Sequence, residues 1–308
     1  MSLPNLASFR RNPNRLVATV LLGVVVTTQV EHVARVLGDE PNGAGEDGGP
    51  AKLLGLDSAT LDEPLVTDRP DFTESTDAVP RGHLQLEAGY TFTYDREKLD
   101  RTRDHTSPEI LLRIGLVDRL ELRLGWAGYS WTETRFETES EDGDRIIREE
   151  WSQGANDAII GFKYKVFEQE GFRPHFGVIG EISVPSGSVG VSAGDVDAAL
   201  KLLWAYDSDG PFGIAGNINL ATTTEGDDRF FQTSASLSLA AALSERWGGY
   251  IEYFGFYPSA IDSNRTHSIN GGVTYLVSAN FQIDGRIGFG LNDEADDFFT
   301  GIGFAWRW

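Results

Sequence analysis

From His83 to Trp308 one pattern recurs along the chain: bulky apolar residues alternate with polar or small ones, a period of two that sends them to opposite faces of a strand. In HLQLEAGYTFTY, Leu84, Leu86, Ala88, Tyr90, Phe92 and Tyr94 share one face, with Gln85, Glu87, Thr91 and Thr93 on the other. LELRLGW sets Leu120, Leu122, Leu124 and Trp126 against Glu121 and Arg123, and AIIGFKYKV sets Ile160, Phe162, Tyr164 and Val166 against Lys163 and Lys165. GIGFAWRW does the same, with Ile302, Phe304, Trp306 and Trp308 opposite Gly301, Gly303, Ala305 and Arg307. Twelve strands fit the pattern, near 83–95, 108–116, 119–131, 155–167, 174–184, 195–206, 212–222, 230–243, 247–257, 267–277, 280–291 and 298–308.

Assigned this way, the polar faces hold sixteen charges: Glu87, Glu109, Arg113, Glu121, Arg123, Asp157, Lys163, Lys165, Glu181, Asp195, Asp197, Lys201, Glu252, Asp284, Arg286 and Arg307. The apolar faces hold none. A lipid neighbour accounts for this, because Lys or Arg on the lipid side near the midplane costs roughly 2–4 kcal/mol. The turns VD, EQEGFR, DSDGP, SER and SA are short, and they alternate with longer connections near 96–106, 132–154, 185–194, 223–229, 258–266 and 292–297. Aromatic residues gather at both ends of the strands: Phe176, Trp204, Tyr206, Phe212, Trp247, Phe281, Trp306 and Trp308 by the short turns, Tyr94, Trp126, Phe231, Tyr257 and Phe298 by the long ones. Even strand number, alternating loop length and two aromatic girdles predict an all-β, transmembrane, up-and-down antiparallel β-barrel of about 12 strands in an outer membrane, with lipid as its surroundings.

Residues 1–30 read as a signal peptide: Arg10, Arg11 and Arg15 precede the apolar run LVATVLLGVVVTTQV, which is too short to span a bilayer as a helix. Residues 31–81 contain DEPNGAGEDGGP and read as a flexible periplasmic leader ending in TDRPDFTES, followed by the barrel over 82–308. The formal charge of -21 argues against a nucleic-acid partner, and the absence of cysteine removes disulfides and thiol sites. The acid-rich segment TETRFETESEDGDRIIREEWSQG reads as a solvated loop, and no spacing matches a defined metal site, so neither metal nor cofactor is expected.

A barrel of this size suggests a channel for small solutes. Candidates for lining or selectivity are Glu87, Arg113, Glu121, Arg123, Lys163, Lys165, Glu181, Lys201, Glu252 and Arg286, either paired across the lumen or forming a selectivity zone; Tyr250, Phe254 and Phe256 also face inward. The segment with Asp68, Arg69, Asp71, Phe72 and Glu74 has two placements open to it, a small plug in the lumen or a tail on the surface. The alternatives to a channel are a lipase- or deacylase-type barrel enzyme and a purely structural barrel. Catalysis has little support: of His32, His83, His105, His175 and His267, His32 lies by the leader, His105 in a loop and the rest at strand starts, and no G-x-S-x-G or HExxH is present.

Two resemblances add to this. The ending with Gly303, Trp306 and Trp308 resembles the C-terminal signal recognised by the barrel assembly machinery, although Gly301 stands where that signal usually has a polar residue. TDRPDFTES at 67–75, VPRGHLQLEAGYTFTYD, LLRIGLVDRLELRLGW and GFKYKVF closely resemble the family of outer-membrane transporters named for the meta-pathway of phenol degradation, over most of 65–308. The resemblance implies a 12-stranded-type barrel and uptake of small aromatic or hydrophobic molecules.

Overall fold

The computed structural model describes residues 58–61, 63–139, 145–226, 228–259 and 264–308. The expected signal peptide, the leader up to residue 57 and His32 lie outside the described residues. The strands are β1 (Leu84–Glu97), β2 (Asp100–Val117), β3 (Leu120–Trp126), β4 (Tyr129–Glu139), β5 (Arg145–Ala155), β6 (Ala158–Phe167), β7 (His175–Val184), β8 (Asp197–Asp207), β9 (Phe212–Glu225), β10 (Asp228–Ala242), β11 (Trp247–Pro258), β12 (Thr266–Ser278), β13 (Phe281–Gly290) and β14 (Phe298–Arg307).

Apart from β3–β4 and β5–β6, strands adjacent in sequence pair antiparallel, and β1 pairs with both β2 and β14, which closes the sheet on itself. Strands β3 and β4 both pair with β2, so they are two halves of one stave interrupted at Ala127–Gly128. There Gly128 has φ +87°, a left-handed conformation that suits glycine, and a Cβ would overlap the Pro108 carbonyl. The neighbouring stave, β5 and β6, is interrupted alongside it at Asn156–Asp157, and the Asn156 amide bridges the two breaks by donating to Gly128 O at 3.0 Å and Ser130 Oγ at 2.8 Å. Joined across these breaks, the fourteen segments form a closed 12-stranded antiparallel barrel, as expected.

The expected loops 96–106 and 132–154 are mostly strand. β1 and β2 continue as a hairpin to Glu97 and Asp100, and β4 with β5 forms a second long hairpin, together making the extension β1-β2-β4-β5. His105 consequently lies in β2 and not in a loop. These strands were not legible as strands because polar side chains occur on both faces, so the alternation that marks the rest is missing. Ladder hydrogen bonds and cross-strand charge pairs such as Arg103–Glu133 at 3.2 Å accompany the pairing there. Two of the sixteen charges also fall outside strands: Asp157 sits in the break before β6 and accepts the N–H groups of Ser186, Gly187 and Ala193, and Asp195 precedes β8.

The polarity gradient is inverted relative to a water-soluble fold. On the outer face Phe162 is 50%, Ile251 52% and Ile302 51% exposed, whereas inward Arg113, Glu121 and Lys163 are each 0% exposed. Removing so many apolar side chains from water requires hydrocarbon around the barrel, while the buried charges require partners inside it.

Candidate functional site in the barrel lumen

Those partners come from the chain that precedes β1. Leu65 donates its N–H to Ala279 O, in the short turn between β12 and β13, at 2.8 Å, and Arg307 donates to Glu63 O at 2.7 Å. From there residues 65–80 run within the barrel. Asp68 and Ser75 form the neck of a loop: the Asp68 carboxylate accepts the Ser75 N–H at 2.9 Å and its hydroxyl at 2.8 Å. At the tip, Glu252 on β11 accepts the Phe72 N–H at 2.8 Å and the Thr73 N–H at 2.7 Å, and the Thr73 hydroxyl meets both Glu252 and Ser236. A carboxylate accepting several N–H groups satisfies donors that no water would reach.

Asp68 is also the centre of the charge cluster. Lys163 Nζ lies 2.7 Å from both of its oxygens, Arg123 Nη1 2.5 Å from one, and Arg113 Nη1 3.5 Å away. Burial pushes its carboxyl up, but the charges of Arg113, Lys163 and Arg123 outweigh burial and hold it well below the usual carboxylate range. Around this group Glu87 accepts the Asp68 N–H and an Arg113 N–H, and Glu121 accepts from Arg113, from Arg123 and from the Val79 N–H. Glu74 binds Arg123 at 2.9 Å and Lys201 at 3.2 Å, Lys201 also binds Glu181 at 2.7 Å, and Lys165 binds Asp77 at 2.6 Å.

Arg69 occupies a separate seat. Glu109 on β2, Gly89 on β1, Gly303 on β14 and Asp284 on β13 are successive register partners, so they form one row across four strands. The guanidinium lies over the two glycines, where a Cβ at either would overlap it, and its Nη2 is 3.0 Å from Asp284 while its Nη1 is 3.9 Å from Glu109. The next residue's carbonyl, Pro70 O, accepts from Arg286 at 2.9 Å.

Thus the ten lining candidates all face inward, but most are engaged by the inner segment or by one another. Beyond the cluster, the lumen carries aromatics: Phe72 stacks on Phe254 at 4.9 Å and meets Phe256 edge-on at 5.3 Å, and Phe299 lies 6.0 Å from Phe254. A cleft of about 460 Å³ lies beside the segment, lined by Arg69, Pro70 and Asp71, the β8–β9 turn, and Ala240, Gly248 and Tyr250 of the wall. Asp71 there bonds to Ser238 at 3.2 Å, and burial, with Glu252 nearby, pushes its carboxyl well above the usual range. Sequence reasoning missed both the row of glycines and this cleft; a pair of glycines at matching register is the one signal for the former.

Described histidines bond elsewhere than to a serine: His83 to Ala59 O, His105 to Tyr90, His175 to Glu168 and His267 to Tyr253. Trp306 and Trp308 pack together at 4.6 Å.

The sequence profile of the family described as "Putative MetA-pathway of phenol degradation" matches residues 67–308. Among solved structures, an outer membrane channel from Pseudomonas putida F1 is similar over 78% of this chain and 100% of that one, at 12% identity and a TM-score of 0.58. The translocator domain of the autotransporter NalP from Neisseria meningitidis matches over 73% of this chain and 88% of that one, at 10% identity and a TM-score of 0.47. The CymD monoaromatic hydrocarbon channel matches over 73% and 88%, at 11% identity and a TM-score of 0.40. No curated protein matches the chain. The first of these likenesses shows the shared outer-membrane barrel fold.

Proposed function

Starting from the fact that this chain belongs to the family described above for phenol degradation, with the fold of an outer-membrane barrel, we propose that it is a channel for uptake of small aromatic or hydrophobic solutes, closed at rest by residues 65–80. The observation that carries the reading is the inverted barrel: charges such as Lys163 and Glu121 are fully buried against the inner segment, while the outer face is apolar. Outer-membrane lipid is its surroundings. A purely structural barrel needs no aromatic surface inside, whereas Phe72, Phe254 and Phe256 give an apolar solute something to slide along. An enzymatic reading has no support from the described histidines, whose partners are backbone, tyrosine and carboxylate groups.

Within this reading, the candidate wall charges Glu87, Arg113, Glu121, Arg123, Lys163, Lys165, Glu181, Lys201, Glu252 and Arg286 serve first to seat the segment carrying Asp68, Arg69, Asp71, Phe72 and Glu74. The C-terminal Gly303, Trp306 and Trp308 are the residues offered to the barrel assembly machinery, and the 1–30 segment directs export. The test is liposome swelling with a panel of phenols, sugars and organic acids: flux of phenols above that of sugars of similar size is expected, and no flux of any solute through folded protein sinks the proposal.

A further inference from the structure

One side of the lumen is closed to solute by packing. On β2, β6, β7 and β8 the inward Arg113, Lys163, Ile179 and Leu203 are all fully buried, with Arg113 and Lys163 bonded to the inner segment. The other side differs. Strands β9–β12 present small residues there, Gly213, Ala240, Ala242 and Gly248, and the cleft runs along them from the β8–β9 turn up to Asp71. Tyr250 lines the cleft, and its buried hydroxyl has no hydrogen-bond partner among the described residues. An unbonded buried hydroxyl is unfavourable without a partner, so it marks a place for one hydrogen-bonding group of a guest. Directly after Asp71 comes Phe72, whose ring lies against Phe254 and Phe256.

Resting on the channel reading, we propose that solute passes along the β9–β12 wall beside the inner segment, with the Phe72 ring as the movable barrier and the Tyr250 hydroxyl as a station below it. The two ways of opening the lumen differ in what must break. Withdrawing the whole segment separates Asp68 from Lys163 and Arg123, Arg69 from Asp284, and Glu74 from Arg123 and Lys201. Turning the Phe72 side chain gives up only ring contacts, because its backbone N–H stays on Glu252. The segment then remains in place as part of the wall. A guest on this route has an apolar body that passes Phe254 and Phe256 and one polar group that meets Tyr250.

The cysteine-free sequence allows a direct test on the full chain, refolded and inserted in planar bilayers. Phe72→Ala is expected to raise conductance several-fold while the protein keeps the heat-modifiable gel mobility of a folded barrel. In that background, Ala240→Cys is expected to react with a bulky methanethiosulfonate and lose most of the gained conductance, while Leu203→Cys on the packed side stays unreactive and conducts as before. Unchanged conductance of Phe72→Ala, failure of Ala240→Cys to label, or undiminished conductance after labelling each overturns the route. If a chain lacking residues 65–76 conducts while Phe72→Ala does not, only this route falls; if neither conducts, the channel reading falls with it.

Discussion

The two sides of the lumen hold the same inner segment by different means. Strands β1, β2, β3, β6 and β8 supply Glu87, Arg113, Glu121, Arg123, Lys163 and Lys201, which pair with it or with each other at charge-assisted distances. Strands β9 to β12 meet it with serine hydroxyls, the aromatic rings of Phe254 and Phe256 and the acid Glu252, and leave the cleft beside small residues. Ion pairs in a dry interior are stringent about geometry, since a charge left alone there is costly, whereas small side chains tolerate a gap. The barrel therefore has one side that fixes and one side that leaves room.

Deleting residues 65–76 should produce the largest effect, since it empties the lumen and strips both sides of their contacts. Single-channel conductance should rise several-fold; an unchanged value with folded protein would mean that the segment bars nothing. Next comes Asp68→Asn, which removes the shared counter-charge of Lys163 and Arg123. A broken buried pair costs about 3–5 kcal/mol, readable as a lower midpoint in urea unfolding from detergent micelles. Because the Asp68 carboxyl sits well below its unfolded value, its stabilisation is present above the normal carboxylate range and disappears only as pH falls through the lowered value. Acidifying the native protein from neutral to about pH 5 should thus leave this contribution intact, and a native midpoint that tracked the Asn variant at that pH would contradict the assignment.

Gly303→Ala tests the seat of Arg69. A methyl there meets both the guanidinium and the Ala88 carbonyl, an overpacking cost of about 1–3 kcal/mol, measurable in the same urea assay; at Gly89, where the nearest atoms are all of the guanidinium, the cost of Gly89→Ala is expected to shrink when Arg69 is also replaced by alanine. The smallest effect belongs to the loose side. Ser238→Ala removes a 3.2 Å hydroxyl bond to Asp71 on the inner segment and should cost about 1 kcal/mol or less. A loss as large as that of Asp68→Asn would erase the distinction between the two sides.

The barrel was legible because lipid imposes a strict period of two: the inward positions of Glu121, Arg123, Lys163 and Glu252 follow from alternation alone. The extension built from β4 and β5 was not, because polar and apolar residues are mixed on both of its faces and no alternation marks it. The contacts of TDRPDFTES were hidden for a different reason. Asp68 meets Lys163 at 95 residues' separation and Arg69 meets Asp284 at 215, distances in sequence that only the ring register brings together. A short charged segment is as soluble outside a barrel as within, so its composition does not choose between the two.

A sheet closed from one polypeptide has a single junction where no turn joins the neighbours, here between β1 and β14. Arg69 straddles it, with its two acidic partners one strand beyond the junction on either hand. The arginine thus sits like a rivet across the seam of the cylinder, so the contacts that lodge the preceding residues are the same ones that span the junction.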